Sequence, residues 1–236
     1  MTQEAQYIWQ QPSWPQFRWD NAALMKPLGL CRFQQGSLLA QMRELGLEVR
    51  QQARAEVLIE EALKTSEIEG ERLDPNAVRS SVARRLGLPT AGLPDVRNQH
   101  ADGVVEILLD ATQDFEKSLT AERLFGWHAA LFPTGYSGLH KIKVASWRDD
   151  RDGPMRVVSG PVGREKIHYE ALPADRLAGE MDQYLRWWRE SHQDVDGLLR
   201  AAVTHLWFVA VHPFEDGNGR IARTLTEMAL AQDEAL

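Results

Sequence analysis

The chain has 236 residues, 43% of them hydrophobic and 26% charged, which suits one globular domain or a domain with an appendage and excludes disordered and collagen-like classes. Its 34 acidic residues outnumber 27 basic ones, for a net charge of -7, so there is no overall positive field for a nucleic-acid or membrane phosphate surface. Cys31 is the single cysteine, which rules out an internal disulfide and a cysteine metal cluster and suits a reducing compartment. The start of the chain lacks the basic and apolar blocks of a secretory signal. The most apolar window, Ala201–Val211, is interrupted by Thr204 and His205 and is too short for a bilayer, so the expected location is the cytoplasm, with no membrane or nucleic-acid partner.

Residues 7–19 mix Trp9, Trp14, Phe17 and Trp19 with Pro12 and Pro15 and have neither helical nor strand period, which predicts an extended aromatic arm packed on the main body. From Ser37 to Ala62, apolar residues at Leu38, Leu39, Met42, Leu45, Val49, Leu58 and Ala62 predict one long or two short amphipathic helices, broken at Gly46. Pro75, Pro89 and Pro94 then punctuate a short helix with flanking loops within Asp74–Arg97. Val104, Ile107, Leu108, Ala111 and Phe115 mark another helix, and Thr120 is the predicted N-cap of one carrying Leu124, Phe125, His128 and Leu131. The pattern changes at Met155–Val158 and Lys166–Tyr169, which flank the turn-rich Ser159-Gly160-Pro161-Val162-Gly163 and predict one hairpin. Helical spacing returns at Leu177, Met181, Tyr184, Leu185 and Trp188. Asp196 caps a helix read through Leu199, Ala202, Leu206 and Val209, and a last helix from Asn218 carries Ile221, Leu225 and Met228. The sum is an all-α bundle with an inserted β-hairpin.

The segment His212-Pro213-Phe214-Glu215-Asp216-Gly217-Asn218-Gly219-Arg220 joins the last two helices. A Gly-Asn-Gly turn opening a helix offers backbone N–H groups and the positive end of the helix dipole, which suit a phosphate. Arg220 adds a fork of donors, and Arg223, three residues on, projects from the same side, so two guanidiniums can hold successive phosphates. A carboxylate at Asp216 beside an anion nest implies a bridging divalent cation, for which magnesium is the best match. His212 supplies an imidazole able to take a hydroxyl proton near neutral pH, and Phe214 is the expected core anchor of the loop. His128, His140, His168, His192 and His205 have no metal-ligand spacing and read as structural or solvated.

This segment, through Arg223, resembles the signature HPFx(D/E)GNGRxxR of the Fic (filamentation induced by cyclic AMP) family, with every position filled. Leu124–Phe132 resembles the helix before that family's flap, and Trp147-Arg148 with Met155–Ala171 the flap itself. The resemblance implies an all-helical core with a β-hairpin flap, here at 101–236, preceded at 1–100 by the arm and a helical region. It implies adenylyl transfer (AMPylation) from ATP to a protein Ser, Thr or Tyr hydroxyl. His212 would be the base and Asp216 the Mg2+ ligand. Gly217, Asn218 and Gly219 would cradle the α- and β-phosphates, Arg220 the β-phosphate and Arg223 the γ-phosphate. The flap edge could take an extended target segment as an added strand. Relatives usually continue beyond the loop with further helices, so Ile221–Leu236 implies a short form or a fragment. A homodimer is consistent with the resemblance.

Thr65-Ser66-Glu67-Ile68-Glu69-Gly70 places carboxylates at a predicted helix end, where the dipole disfavours them unless a cation lies elsewhere. If the helix reaches Glu69, Thr65 and Glu69 share a face and Gly70 ends it. The segment resembles the family's inhibitory (S/T)xxxE(G/N) motif, filled by Thr65, Glu69 and Gly70. Glu69 paired with Arg223 would withhold the γ-phosphate contact and leave ATP in a pose unsuited to attack. Two other readings stand beside transfer: removal of AMP, with Glu69 activating a water, and a non-enzymatic ATP-sensing module.

Overall fold

The structure, a computed structural model, describes residues 5–89, 96–151, 153–161, 164 and 166–234. Pro94, Val162 and Gly163 of the expected loops lie outside these residues. The described residues form eight α-helices and two antiparallel hairpins: α1 (Asn21–Glu44), α2 (Leu47–Ile68), α3 (Pro75–Leu86), α4 (Gln99–Gln113), α5 (Ala121–Leu131), β1 (Tyr136–Ser137), β2 (His140–Lys141), β3 (Arg156–Ser159), β4 (Lys166–Glu170), α6 (Leu177–Glu190), α7 (Gly197–Val211) and α8 (Asn218–Glu234). The helical expectation holds, and β3–β4 is the expected hairpin. The β1–β2 ladder was not expected: its two-residue strands are too short to leave a period-two pattern. None of the described helices is long and apolar enough to cross a membrane.

Two compact units divide the chain, one at Phe17–Val105 and the other made of the segment up to Gln16 together with Glu106 onward. The aromatic arm thus groups, as far as Gln16, with the C-terminal unit, and the division of the two units falls inside α4, between Val105 and Glu106.

In the Phe17–Val105 unit, the helical pattern begins earlier than the apolar residues suggest. Asp20 caps α1 by accepting from Ala22 N–H (2.9 Å) and Ala23 N–H (3.1 Å), so the helix starts well before Ser37 and carries Pro27 inside it. The break near Gly46 is as expected, with α1 ending at Glu44 and α2 opening at Leu47. Burial differs from expectation: α1 buries no residue, and Leu38, Leu45 and Val49 are exposed, whereas α2 buries Ala55, Leu58, Ile59 and Ala62 against α3. Apolar spacing alone does not say whether a face finds a partner. Asp74 caps α3, Pro75 sits at its first turn, and Gly87 closes it in the left-handed conformation.

The end of α2 has the geometry its sequence predicts. Glu69 is the C-cap and Gly70 follows at φ +78°. Gly70 N–H donates to Glu67 O (2.9 Å) and Glu71 N–H to Ser66 O (2.9 Å), the paired bonds of a Schellman ending. Thr65 is buried, and Glu69 is exposed.

In the other unit, α7 packs along α8 and against α6, and α5 meets α8. The capping expectations hold: Thr120 accepts from Arg123 N–H (3.2 Å), and Asp196 accepts from Leu198 N–H (3.0 Å). Ile221, Leu225 and Met228 are fully buried, as are Met181 and Tyr184. The face read for α7 was wrong. Leu206 is 48% exposed and Ala202 is exposed, while Ala201, Trp207, Phe208 and Val211 are buried. An almost wholly apolar helix carries little periodic signal, so its neighbours decide which side faces in.

The arm is irregular apart from one 3-10 turn at Ile8–Gln10, and it packs as expected. Trp9 Nε1–H donates to Glu170 O (2.7 Å), and Trp14 meets Trp207 edge-on with centroids 6.1 Å apart. Glu180, buried in α6, accepts from both Trp14 Nε1–H (2.6 Å) and Trp207 Nε1–H (3.2 Å). A buried carboxylate stripped of a donor bears a desolvation penalty. Trp14→Phe keeps a ring against Trp207 but removes that donor, and it is expected to lower unfolding stability by about 1–3 kcal/mol in urea titrations; an unchanged midpoint would show that the arm is not anchored there.

Candidate active site

Helix α7 ends where His212 enters the left-handed region, at φ +52°, ψ +59°. Such a conformation at a residue other than glycine is uncommon and costs about 1–3 kcal/mol, so the surroundings must hold it. The Arg148 guanidinium donates through Nε to His212 O (2.8 Å), and Arg148 N–H donates to Pro213 O (2.9 Å). His212 Nδ1 lies 3.3 Å from Val209 O, which can only accept. Within that contact Nδ1 is the donor.

Beyond Pro213 the loop is locked from within. Asn218, 2% exposed at the start of α8, accepts from Phe214 N–H (2.9 Å) and donates through Nδ2 to Phe214 O (2.8 Å). Its side chain is thus spent on loop shape, and what it can offer an anion is its backbone N–H. Phe214 is fully buried, as expected of the anchor, and stacks on His128 with centroids 4.2 Å apart and planes 8° from parallel. Trp147 and Phe125 complete the nest, at 5.2 and 6.3 Å from the Phe214 ring. Gly217 has φ +78°, and a Cβ there would come 2.8 Å from the Phe132 ring, so the turn accepts only glycine without a shift.

His128, one of the histidines read as structural or solvated, is structural and sits directly behind the loop. Ala145 N–H donates to its Nδ1 (3.1 Å), which leaves the proton on Nε2 to donate to Asp216 O (3.2 Å). Burial, together with the nearby Arg220 charge, outweighs the bond to Asp216 and lowers the pKa of His128 from 6.5 to about 4. The neutral ring is what both bonds need.

Asp216 is half-buried, and both carboxylate oxygens are oriented: Oδ1 accepts from Gly217 N–H (2.6 Å), and Oδ2 accepts from the hydroxyl of Ser137 on β1. Lys143 N–H donates to Glu215 Oε2 (2.9 Å). The β1–β2 hairpin and the irregular segment after it thus strap the loop. Sequence reasoning missed Ser137, Lys143 and Ala145; the closely spaced Gly135 and Gly138 after Phe132 were the available sign of tight turns there.

Among the described residues no three His, Cys, Asp or Glu side chains form a metal-binding group. A cation at Asp216 would draw its other ligands from phosphate and water, which is the habit of magnesium, so the donor set is compatible with that ion. Arg220 is 5% exposed with its guanidinium 4.9 Å over the Phe132 ring. Arg223 is half-buried one turn along α8; burial first, and then its positive charge, lower the pKa of His205. His212, Asp216, Gly217, Asn218, Gly219, Arg220 and Arg223 are gathered on one loop and helix start, while Thr65, Glu69 and Gly70 lie in the other unit.

Residues 118–230, which enclose this whole constellation, match the Fic/DOC family. Residues 118–230 are a Fic domain. Residues 7–88 match a second family, described only as a domain of unknown function (DUF4172). Over 79 residues the chain is 33% identical to protein adenylyltransferase fic-1 of Caenorhabditis elegans, a stretch that covers 33% of this chain and 15% of that protein. A Fic domain containing signaling protein from Bacteroides thetaiotaomicron shares the fold at 19% identity and TM-score 0.60, over 84% of this chain and 72% of that one. A Fic family protein from Desulfovibrio desulfuricans does so at 20% identity and TM-score 0.58, over 92% and 59%. Fic-1 from C. elegans gives 18% identity and TM-score 0.54, over 89% and 60%.

The neutral state of His128 has a thermodynamic signature. Its folded pKa lies below the unfolded value of 6.5, so the unfolded chain takes up the proton first as pH falls. This contribution to stability is intact above pH 6.5 and is lost towards about pH 4, by up to ~1.4 kcal/mol per pH unit. Urea midpoints measured across that window should fall less steeply for His128→Phe than for the wild type; parallel slopes would mean that the ring is not held neutral.

Proposed function

We propose that this chain is a transferase that moves AMP from ATP to a protein hydroxyl. The observation that carries the reading is His212, held in the left-handed conformation at the end of α7 with Nδ1 3.3 Å from Val209 O, on the same loop as Asp216 and the glycine turn that opens α8. The target oxygen attacks the α-phosphorus as the bond to the β-phosphate oxygen breaks, pyrophosphate leaves, and the hydroxyl proton passes to His212 Nε2. The backbone N–H groups at Asn218 and Gly219 would hold the α- and β-phosphates, with Gly217 shaping the turn while its own N–H donates to Asp216 Oδ1, and Arg220 would take the β-phosphate and Arg223 the γ-phosphate. Magnesium at Asp216 would neutralise the charge that builds on the leaving pyrophosphate.

The β3–β4 hairpin is the proposed dock for the target. Val157, Val158 and Ile167 stay 43%, 47% and 44% exposed, so these apolar side chains are not consumed by the core and remain available beside an added strand. The chain itself is one candidate target, and the absence of disulfides accords with work in the cytoplasm.

Regulation would come from Glu69. The Schellman ending at Gly70 fixes the helix end that carries it, and the proposed pairing of Glu69 with Arg223 would deny the γ-phosphate its guanidinium. The same carboxylate could instead activate a water and remove AMP from a modified target, and an ATP-sensing module remains the non-enzymatic alternative.

Intact-mass analysis after incubation with magnesium and ATP separates these readings. Glu69→Gly should gain one AMP on itself or on a bait protein where the wild type gains little, and Glu69→Gly combined with His212→Ala should gain none. Equal incorporation by wild type and Glu69→Gly would count against the switch. Nucleotide binding without transfer by Glu69→Gly would favour the module.

A further inference from the structure

We propose that Arg148, braced by Asp150, is a positioning residue that sets the orientation of His212 and ties it to the base of the β3–β4 hairpin. The inference extends the reading of His212 as the base.

The last carbonyls of a helix have no partner within it, and α7 ends on a histidine in a conformation that side chains rarely adopt. Two groups from the hairpin region fill the gap. Tyr169 on β4 donates its hydroxyl to Ala210 O (2.7 Å), and Arg148 takes His212 O through Nε (2.8 Å) and Pro213 O through its backbone N–H (2.9 Å). A guanidinium at the negative end of the α7 dipole is also favourably placed.

The rest of Arg148 faces the hairpin. Nη2 donates to Leu172 O (2.6 Å), just after β4, and Nη1 to Asp150 Oδ1 (2.7 Å), ahead of β3. Asp150 Oδ2 in turn accepts from Ala174 N–H (2.7 Å). The chain entering the hairpin, the chain leaving it and the carbonyl of His212 thus converge on one guanidinium whose side chain is 1% exposed. The planar fork is required, because three acceptors lie in three fixed directions that a single ammonium cannot serve together.

The bond that fixes the His212 ring, Nδ1 to Val209 O, is long at 3.3 Å. A bond of that length leaves scope for the backbone at 212 to set how the ring sits, and Arg148 holds that backbone through His212 O. Loss of the fork releases the left-handed turn, lets the ring leave Val209 O and moves the Nδ1 proton to Nε2, the atom that must stay basic. The phosphate turn, held separately by Asn218 and Phe214, keeps its shape.

The test reads the ring directly. Nitrogen-15 NMR of the His212 imidazole in the full chain, without ATP, should show the Nδ1–H tautomer in the wild type and a shift towards Nε2–H in Arg148→Gln and Arg148→Lys. In the Glu69→Gly background, both substitutions should lower kcat for AMP incorporation about 10²-fold with KM for ATP changed less than about threefold, since the displaced group is the base and not the phosphate cradle. Asp150→Asn, which keeps the fork and the shape but loses the brace, should lie between and carries the test if the Arg148 variants do not fold. An unchanged tautomer in a folded Arg148 or Asp150 variant overturns the proposal, as does a rise in KM for ATP matching the fall in kcat. Should Glu69→Gly transfer no AMP, the proposed reaction falls, while the NMR result still decides the role of Arg148.

Discussion

The bond pair between the Asn218 amide and the backbone of Phe214 is the constraint on which the site depends. The chain must leave α7, reverse and start α8 within a few residues. A buried amide that accepts from one peptide group and donates to the same residue does what a neighbouring strand would do, in less space. It also drives the Phe214 ring into the core, where His128 meets it face to face. Loop shape and core packing are therefore one interaction seen from two sides.

Around this lock, each element contributes one support. Helix α5 brings His128 behind the carbonyl of Asp216, β1 brings Ser137 to its carboxylate, and the stretch before β3 brings Arg148 to the carbonyls of His212 and Pro213. These partners come from three different elements, so the loop is held at several points. Catalytic groups need positional accuracy of this kind, because misplacement by about 1 Å can cost two orders of magnitude in rate.

The sequence was most informative where residues act through local geometry. Thr120 and Asp196 were legible as caps because capping involves neighbours two or three positions along, whereas Asp74, which also caps a helix, was read only as the edge of a loop-flanked region. Gly70 was legible as a helix stop for the same reason. Burial was less legible: α1 exposes Leu38 although its spacing looks amphipathic, and α7 turns Leu206 outward although the helix is apolar all round. The β1–β2 strap was hidden, since strands of two residues have no period to detect.

The order of residues already places an imidazole, a carboxylate, a glycine turn and two arginines in one segment, because they are consecutive or one helical turn apart, and adjacency along the chain enforces adjacency in space. It also determined the helical class, through repeats at three and four residues. What brings Ser137, His128 and Arg148 to the loop is the packing of distant elements. Those contacts are hydrogen bonds between groups separated by as many as 88 positions, as between His128 and Asp216. Such pairs leave no local pattern, because their geometry is set by how helices pack and not by the order of residues between them.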